Sequence, residues 1–202
     1  MNLIIVRHGE TVDNASRTFQ QPTSPLSENG EQQAALLARR LAGFNVSKII
    51  CSDYLRTQQT ATPIAAALGL EASLTPLLRE RNFGGLRGQP YSSLDFDPFA
   101  LDYQPVNGES WGVFNQRASD AWQSLLSAAK NSDADIIAVT HGFMCRALIA
   151  NHALLPDGIE LPTHWGNTSL TIINQEDHQV TTLNCTAHLD GHFLDRQTGG
   201  QV

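Results

Sequence analysis

Two strand-like runs end on the same pair of residues. IIVRHGET, residues 4–11, leads an apolar run into Arg7-His8-Gly9, and IIAVTHGF, residues 136–143, leads another into His141-Gly142. A strand end built for stability alone more usually turns on Asn, Asp, Gly or Pro. Two imidazoles delivered this way suggest one shared site. Two further fragments carry the same types of group: SDYLRTQQTA (52–61) holds Arg56, and LLRERNFGGLRG (77–88) holds Glu80 between Arg79 and Arg81. Arg forks and helix N-termini hold tetrahedral anions. A neutral imidazole can act as a covalent nucleophile. A carboxyl kept protonated can serve a leaving alkoxide as general acid. Together these groups suit phosphoryl transfer through a phosphohistidine, with cations of the chain itself neutralising the anion. On chemistry alone the acid is open among Glu80, Glu10, Glu31 and Glu109, and Asn14 reads equally as a turn residue or a cap.

The elements that must position these groups alternate. LIIV (3–6) is a continuous apolar run, as in a strand buried on both faces. Residues 31–44 carry Ala34, Leu37, Ala38, Leu41 and Phe44 at helical period, with Gly43 near the end. Residues 46–52 read as a strand. Residues 57–69 read as an Ala-rich helix that Pro63 should bend or restart, and 72–78 as extended. Residues 110–130 form a long amphipathic pattern whose Trp111 and Phe114 are expected in the core. Residues 134–140 read as a second buried strand, 142–155 as a helix, and 169–174 with 179–184 as a hairpin turning on QEDH. The pattern predicts a three-layer α/β/α sandwich on a mainly parallel sheet with an antiparallel edge. Residues 1–202 read as one domain with a cap-like insertion at about 84–109, and the segment from His192 onward as a fraying polar tail. In open sheets of this kind, ligands bind beyond the carboxyl ends of the strands, where the four fragments fall.

The chain has 202 residues, enough for one well-buried core, and a net charge of −7. The acidic balance makes nucleic acid a poor partner, and no run is long and apolar enough for a membrane span. Cys51 and Cys145 lie in apolar segments and read as core residues in a reducing compartment. Asn2 follows Met1 and the strand pattern begins at once, so a cytoplasmic location is expected. Eleven of the thirteen basic residues are Arg, the better fork for phosphate or carboxylate. His188 and His192 have metal-like spacing only if helical, and Gly191 argues against that, so no metal is expected. His152, His164 and His178 read as solvated or structural.

The ordered fragments closely resemble the histidine phosphatase superfamily, the phosphoglycerate-mutase-like enzymes. Arg7 to Thr11 is similar to its Arg-His-Gly-Glu-Thr stretch, PLSENGEQQA (25–34) to the lead into its first helix, and CSDYLRTQQTA to its Ser-Asp-x-x-Arg segment. LRERNFGGLRG, NGES (107–110) and VTHGFMCRALI follow in family order. The resemblance implies a phosphoglycerate-mutase-like fold, catalysis without a cofactor, and roles for named residues. His8 would take the phosphoryl group. Arg7, Arg56 and His141 would hold its oxygens, with Asn14, Gln20 and the Gly142 N–H adding hydrogen bonds. Glu80, selected by the glycines that follow it, would protonate the leaving oxygen. Arg81 would grip a second anion of the substrate.

The family contains hydrolases and mutases. Residues 88–116 hold no Arg or Lys, whereas Asp95, Asp97, Asp102 and Glu109 are acidic, and mutases need extra cations for a second acidic group. Gln20 also resembles the small phosphatases, while Gln21 replaces their usual Gly. The expected activity is therefore a metal-independent phosphomonoester hydrolase acting on a small phosphorylated metabolite. The aromatic and acidic cap (Phe83, Tyr91, Phe96, Phe99, Tyr103) leans toward a neutral or sugar-like leaving group. Phosphoglycerate mutase and a non-catalytic phosphate-ligand-binding module are the alternatives. Oligomeric state is left open, a homodimer included.

Overall fold

Six strands form one sheet in the order β3-β2-β4-β1-β5-β6. The computed structural model describes residues 1–130 and 132–190. Strands β1 (Asn2–Arg7), β2 (Val46–Ser52), β3 (Ala72–Thr75) and β4 (Asp135–Thr140) run parallel. Strands β5 (Leu170–Asn174) and β6 (Val180–Cys185) run antiparallel at one edge, as the hairpin pattern predicts. Helices α2 (Glu28–Leu41) and α3 (Leu55–Leu68) cover one face, and α4 (Trp111–Ala129) and α5 (Gly142–His152) the other.

The alternation of side chains along β1 and β4 explains the two layers. Leu3, Ile5, Ile136 and Ala138 pack with Phe114, Trp122 and Leu148. Ile4, Val6, Ile137 and Val139 pack with Leu37, Leu41 and Ile64. Central strands are thus apolar on both sides, and each fully buried Leu or Ile contributes about 1.5–3 kcal/mol. Cys51 and Cys145 lie in these cores.

Several boundaries differ from the pattern-based reading. Helix α2 starts at Glu28, three residues early, because the Ser27 hydroxyl accepts from Gly30 N at 3.1 Å and caps it. It ends at Leu41, leaving Gly43 in the following turn. Helix α3 runs unbroken through Pro63, so the proline does not restart it, and packs along α2. Residues 76–78 close into a 3₁₀ turn instead of staying extended. Helix α5 stops at His152 because Leu154 turns away to exchange hydrogen bonds with His178 O and Val180 N, both at 2.9 Å. A short helix α1 (Val12–Ala15) was not legible in the periodicity: its capping box of Thr11 and Asn14 spans a single turn. Between Gly84 and Glu109 the only regular pieces are 3₁₀ turns at Gly84–Leu86 and Tyr91–Ser93. His192 and the tail beyond it lie outside the described residues. No described helix is long and apolar enough to cross a membrane.

Candidate active site

Strands β1 and β4 are neighbours in register, with Arg7 opposite Thr140. The two His-Gly pairs therefore leave the sheet side by side. His8 N donates to Thr140 O at 2.9 Å, and the two imidazole centroids are 5.2 Å apart in an edge-on contact. Gly9 follows His8 because the backbone of α2 arrives there. A Cβ at Gly9 would lie 2.7 Å from Gly30 O, and one at Gly30 only 2.0 Å from Glu10 O. The close approach belongs to a helix, not to a ligand.

His8 is held in one tautomer. Its Nδ1 lies 2.7 Å from Gly9 O, which can only accept, so Nδ1 carries the proton. Its Nε2 accepts from Arg56 Nε at 3.3 Å, leaving the lone pair on that nitrogen. Burial, then the charges of Arg56 and Arg7, push the His8 pKa well below its usual value. His8 is thus a neutral imidazole at physiological pH, with the nucleophilic nitrogen turned to the arginines.

Arg56 sits in the first turn of α3, and one guanidinium N–H donates to Gln21 O at 2.9 Å. Burial lowers its pKa to about 10, which keeps it charged at neutral pH. Arg7 donates to Trp165 O, and its Nε is buried with no partner among the described residues. A Cβ added at Gly142 would lie 3.5 Å from that Nε and 3.9 Å from Glu80 Oε2. The bare glycine therefore leaves open the space between a cation and an acid.

Glu80 is partly buried, and desolvation raises its pKa against the pull of the Phe143 and Arg81 N–H groups and the two arginines. Oε1 accepts from Arg81 N at 3.0 Å and Oε2 from Phe143 N at 3.2 Å. Its backbone is anchored from α4: Arg117 donates to the carbonyls of Leu77, Arg79 and Glu80 at 2.7–3.2 Å while pairing with Glu109 through both carboxylate oxygens. The rival carboxylates are elsewhere. Glu10 Oε1 accepts from the Ser27 hydroxyl at 2.7 Å, Glu109 is taken by Arg117, and Glu31 lies on the exposed face of α2.

Of the residues singled out from sequence, Arg7, His8, Asn14, Gln20, Arg56, Glu80, Arg81 and Gly142 line one cavity of about 50 Å³. His141 does not line it. It stands behind His8, fully buried, with Nε2 2.9 Å from the Ser52 hydroxyl and Nδ1 unpartnered among the described residues. Burial, then Arg56 and His8, drive its pKa far down. Arg81 does not present the free fork expected of it. Its guanidinium lies 4.0 Å over the Trp111 ring and donates to the carbonyls of Glu109, Pro98 and Tyr103. It ties the cap to the Glu80 segment. The cavity also has walls that the sequence reading passed over: Phe19, Tyr54, Arg87 and Phe143. Arg87 stood in the quoted LRG triplet, one residue before the cation-free stretch. Arg117 gave no local signal, because it acts through partners distant in sequence, and Ser52 stood in the quoted Ser-Asp-x-x-Arg segment with no role assigned to it.

Residues 3–187 match the model of the histidine phosphatase superfamily (branch 1). The chain belongs to the histidine phosphatase superfamily. Among relatives of this superfamily member, "Probable phosphoglycerate mutase GpmB" of Yersinia enterocolitica is 35% identical over 212 residues, spanning 96% of this chain and 98% of the relative. Solved structures of similar fold include mycobacterial glucosyl-3-phosphoglycerate phosphatase with VO3, at TM-score 0.77 and 25% identity over 91% of this chain and 99% of that one. A phosphoserine phosphatase of Entamoeba histolytica in complex with phosphoserine superposes at TM-score 0.72 and 25% identity, covering 93% and 98% of the two chains. Superfamily membership, the mixed six-stranded sheet and the α/β layering agree with what the fragments implied. The similar proteins are phosphatases and mutases.

Proposed function

We propose that this chain is a phosphomonoester hydrolase that needs no metal and works through a phosphohistidine on a small phosphorylated metabolite. The observation that carries the reading is the fixed tautomer of His8: the Nδ1 proton held on Gly9 O, the Nε2 lone pair beside Arg56, and in the same cavity Glu80, whose pKa burial raises. Arg7 and Arg56 hold the phosphoryl oxygens, aided by the Gly142 N–H, Asn14 and Gln20. His8 Nε2 attacks phosphorus and the bond to the leaving oxygen breaks, while Glu80 gives that oxygen its proton. Water then attacks the phosphohistidine, Glu80 takes a proton from it, and the P–N bond breaks to release phosphate. His141 backs His8, its ring packed edge-on against the nucleophile's imidazole with centroids 5.2 Å apart.

The engagement of Arg81 by cap carbonyls, with no Lys or Arg between 88 and 116, favours hydrolysis over mutase chemistry. Phosphoglycerate mutase is the second reading, favoured by the names of the relatives. A panel of sugar phosphates, phosphoglycerates, nucleotides and an aryl phosphate, assayed for released phosphate with chelator present, tests the proposal. Release from any of them supports the hydrolase. Silence across the panel, followed by transfer from bisphosphoglycerate, would establish the mutase instead.

A further inference from the structure

We propose that Cys185 is a redox-modification site: its sulfur, clasped by both terminal nitrogens of Arg40, is oxidised by hydroperoxides to the sulfenic acid and then capped by a small thiol such as glutathione. The three cysteines stand in different surroundings. Cys51 and Cys145 are buried in the two cores, where desolvation pushes the Cys51 thiol up to about 12 and raises the Cys145 thiol as well. Cys185 ends β6 and is partly exposed. Nη1 and Nη2 of Arg40, in the last turn of α2, each donate to its Sγ at 3.3 Å. The Ala187 N–H, in the 3₁₀ turn Ala187–Leu189, turns to the same sulfur. A guanidinium fork closed on one atom suits an anion, and Arg40 forms no ion pair among the described residues.

The other titratable neighbours are His188 and Asp190. His188 Nδ1 lies 3.3 Å from Arg40 Nη1, which can only donate, so Nδ1 accepts and Nε2 gives its proton to Thr168 Oγ1 at 3.0 Å. Burial, then Arg40, lowers the His188 pKa to about 4, so the imidazole adds no charge at neutral pH. Desolvation and Asp190 work against a charged sulfur, and the Ala187 N–H with Arg40 outweighs them, for a net lowering of the Cys185 pKa. A partly exposed sulfur beside a cation is the setting in which cysteines react. The thiolate attacks one peroxide oxygen, the O–O bond breaks and hydroxide leaves, so sulfur is oxidised and the peroxide reduced. A thiol then attacks the sulfenic sulfur, the S–S bond forms and water departs. Cys51 and Cys145 are held in the cores, so that thiol comes from solution.

The adduct is felt at the nucleophile. Thr168 N donates to His8 O at 3.2 Å, and Asn167 Nδ2 to the same oxygen at 3.1 Å. Thr168 is fully buried at φ 53°, a left-handed backbone that a β-branched residue keeps only where its contacts enforce it. His188 is one of those contacts. A tripeptide on Cys185 displaces Arg40 and His188 and withdraws that support from the segment behind His8.

Iodoacetamide labelling of the native chain at graded pH, read by peptide mass spectrometry, tests the thiol without any variant. Cys185 should label roughly tenfold or more faster than Cys51 and Cys145, with a midpoint below the ordinary thiol value of about 8.5. Arg40→Gln should move that midpoint upward, and Arg40→Lys should keep part of the lowering. Hydrogen peroxide with dimedone should mark Cys185 alone, and peroxide with glutathione should add one glutathione there. The glutathionylated chain should turn over an aryl phosphate with kcat lowered roughly five- to tenfold, the loss of a positioning hydrogen bond. Dithiothreitol should restore the rate, and Cys185→Ser should keep the untreated rate and ignore peroxide and glutathione. Equal labelling of the three cysteines, a midpoint at or above the ordinary value, or dimedone on another cysteine would overturn the site, whatever the chain hydrolyses. An unchanged kcat in the fully glutathionylated chain would overturn its link to His8.

Discussion

Replacing Glu80 with Gln changes more than the proton. In the protonated acid, both oxygens still accept: Oε1 from Arg81 N at 3.0 Å and Oε2 from Phe143 N at 3.2 Å, with an O–H left to give. The Gln amide has one accepting oxygen. Whichever way it turns, its NH2 group faces a backbone N–H and leaves that donor orphaned. A buried unsatisfied donor costs about 1–3 kcal/mol. For a chain of this length each kcal/mol moves Tm by about 2–4 °C. Glu80→Gln should therefore melt several degrees lower than the wild type, and differential scanning calorimetry checks this directly. The catalytic effect should separate from the structural one by leaving group. An alkyl ester departs as a strongly basic alkoxide, and losing its acid should lower kcat by about 10²–10⁴-fold. A nitrophenyl ester leaves as a stable phenolate, so only the displacement of the Phe143 or Arg81 amide is felt. Its loss should stay within about tenfold. The assay is kcat across a series of phosphate esters graded by leaving-group pKa, for both proteins. A parallel drop at every leaving group would refute the acid role of Glu80.

His8→Ala should remove turnover by orders of magnitude while far-UV circular dichroism stays native, and rapid quenching of the wild type with labelled substrate should trap an acid-labile phosphoprotein that the variant lacks. Two glycines should respond in opposite ways. Gly142→Ala places a methyl at ordinary contact distance from Arg7 and Glu80, so Tm should hold while inhibition by inorganic phosphate weakens. Gly30→Ala drives a Cβ to 2.0 Å from Glu10 O, so it should destabilise by about 1–3 kcal/mol, visible in urea unfolding. The pH profile of kcat/KM should be bell-shaped. Its acid limb lies well below pH 6.5, where buried His8 finally takes a proton, and its alkaline limb lies above 4.5, where Glu80 ionises. Glu80→Gln should erase the alkaline limb. Stability carries the matching signs. Unfolded histidine binds protons more readily than buried His8 and His141, so that contribution is lost as pH falls below 6.5. Folded Glu80 keeps its proton longer than in the unfolded chain, so its contribution fades as pH rises through the raised value. The slope of Tm against pH in His8→Ala and Glu80→Gln measures each.

The parts of this fold that sequence revealed are those governed by local rules. Period-two and period-3.6 apolar patterns gave β1, β2, β4 and the hairpin, because the same residues that form each element also bury it. The strand-end histidines were legible for the same reason: the apolar run fixes where the chain leaves the sheet. What escaped was decided by partners far away in sequence. Arg81 looked like a free cation, and the Trp111 ring and the carbonyls of Pro98, Tyr103 and Glu109 engage it. His141 looked like a wall of the cavity, and the pairing of β1 with β4 sets it behind His8. Arg117 sits in a helix with no local mark of function, yet it gathers three carbonyls around Glu80. The boundary of α2 depended on one hydroxyl, Ser27, that periodicity does not register.

The protonation states of the resting site fit together as a charge balance. Burial shifts His8 and His141 toward the neutral imidazole and Glu80 toward the protonated acid, while Arg56, lowered only to about 10, stays charged beside Arg7. Arg7, Arg56, Arg81 and Arg87 all line the cavity, and Arg7 and Arg56 are the two whose charges act on His8. A phosphomonoester dianion brings two negative charges, which the arginines match without any group changing state. The proton on Glu80 is then committed to the leaving oxygen alone, and the lone pair on His8 Nε2 to phosphorus alone. Were Glu80 ionised on binding, it would repel the dianion and have nothing to donate. Were His8 charged, it would attract the dianion and be unable to attack. The same burial that shifts both groups in opposite directions therefore favours the reactive form of each, the neutral imidazole and the protonated acid.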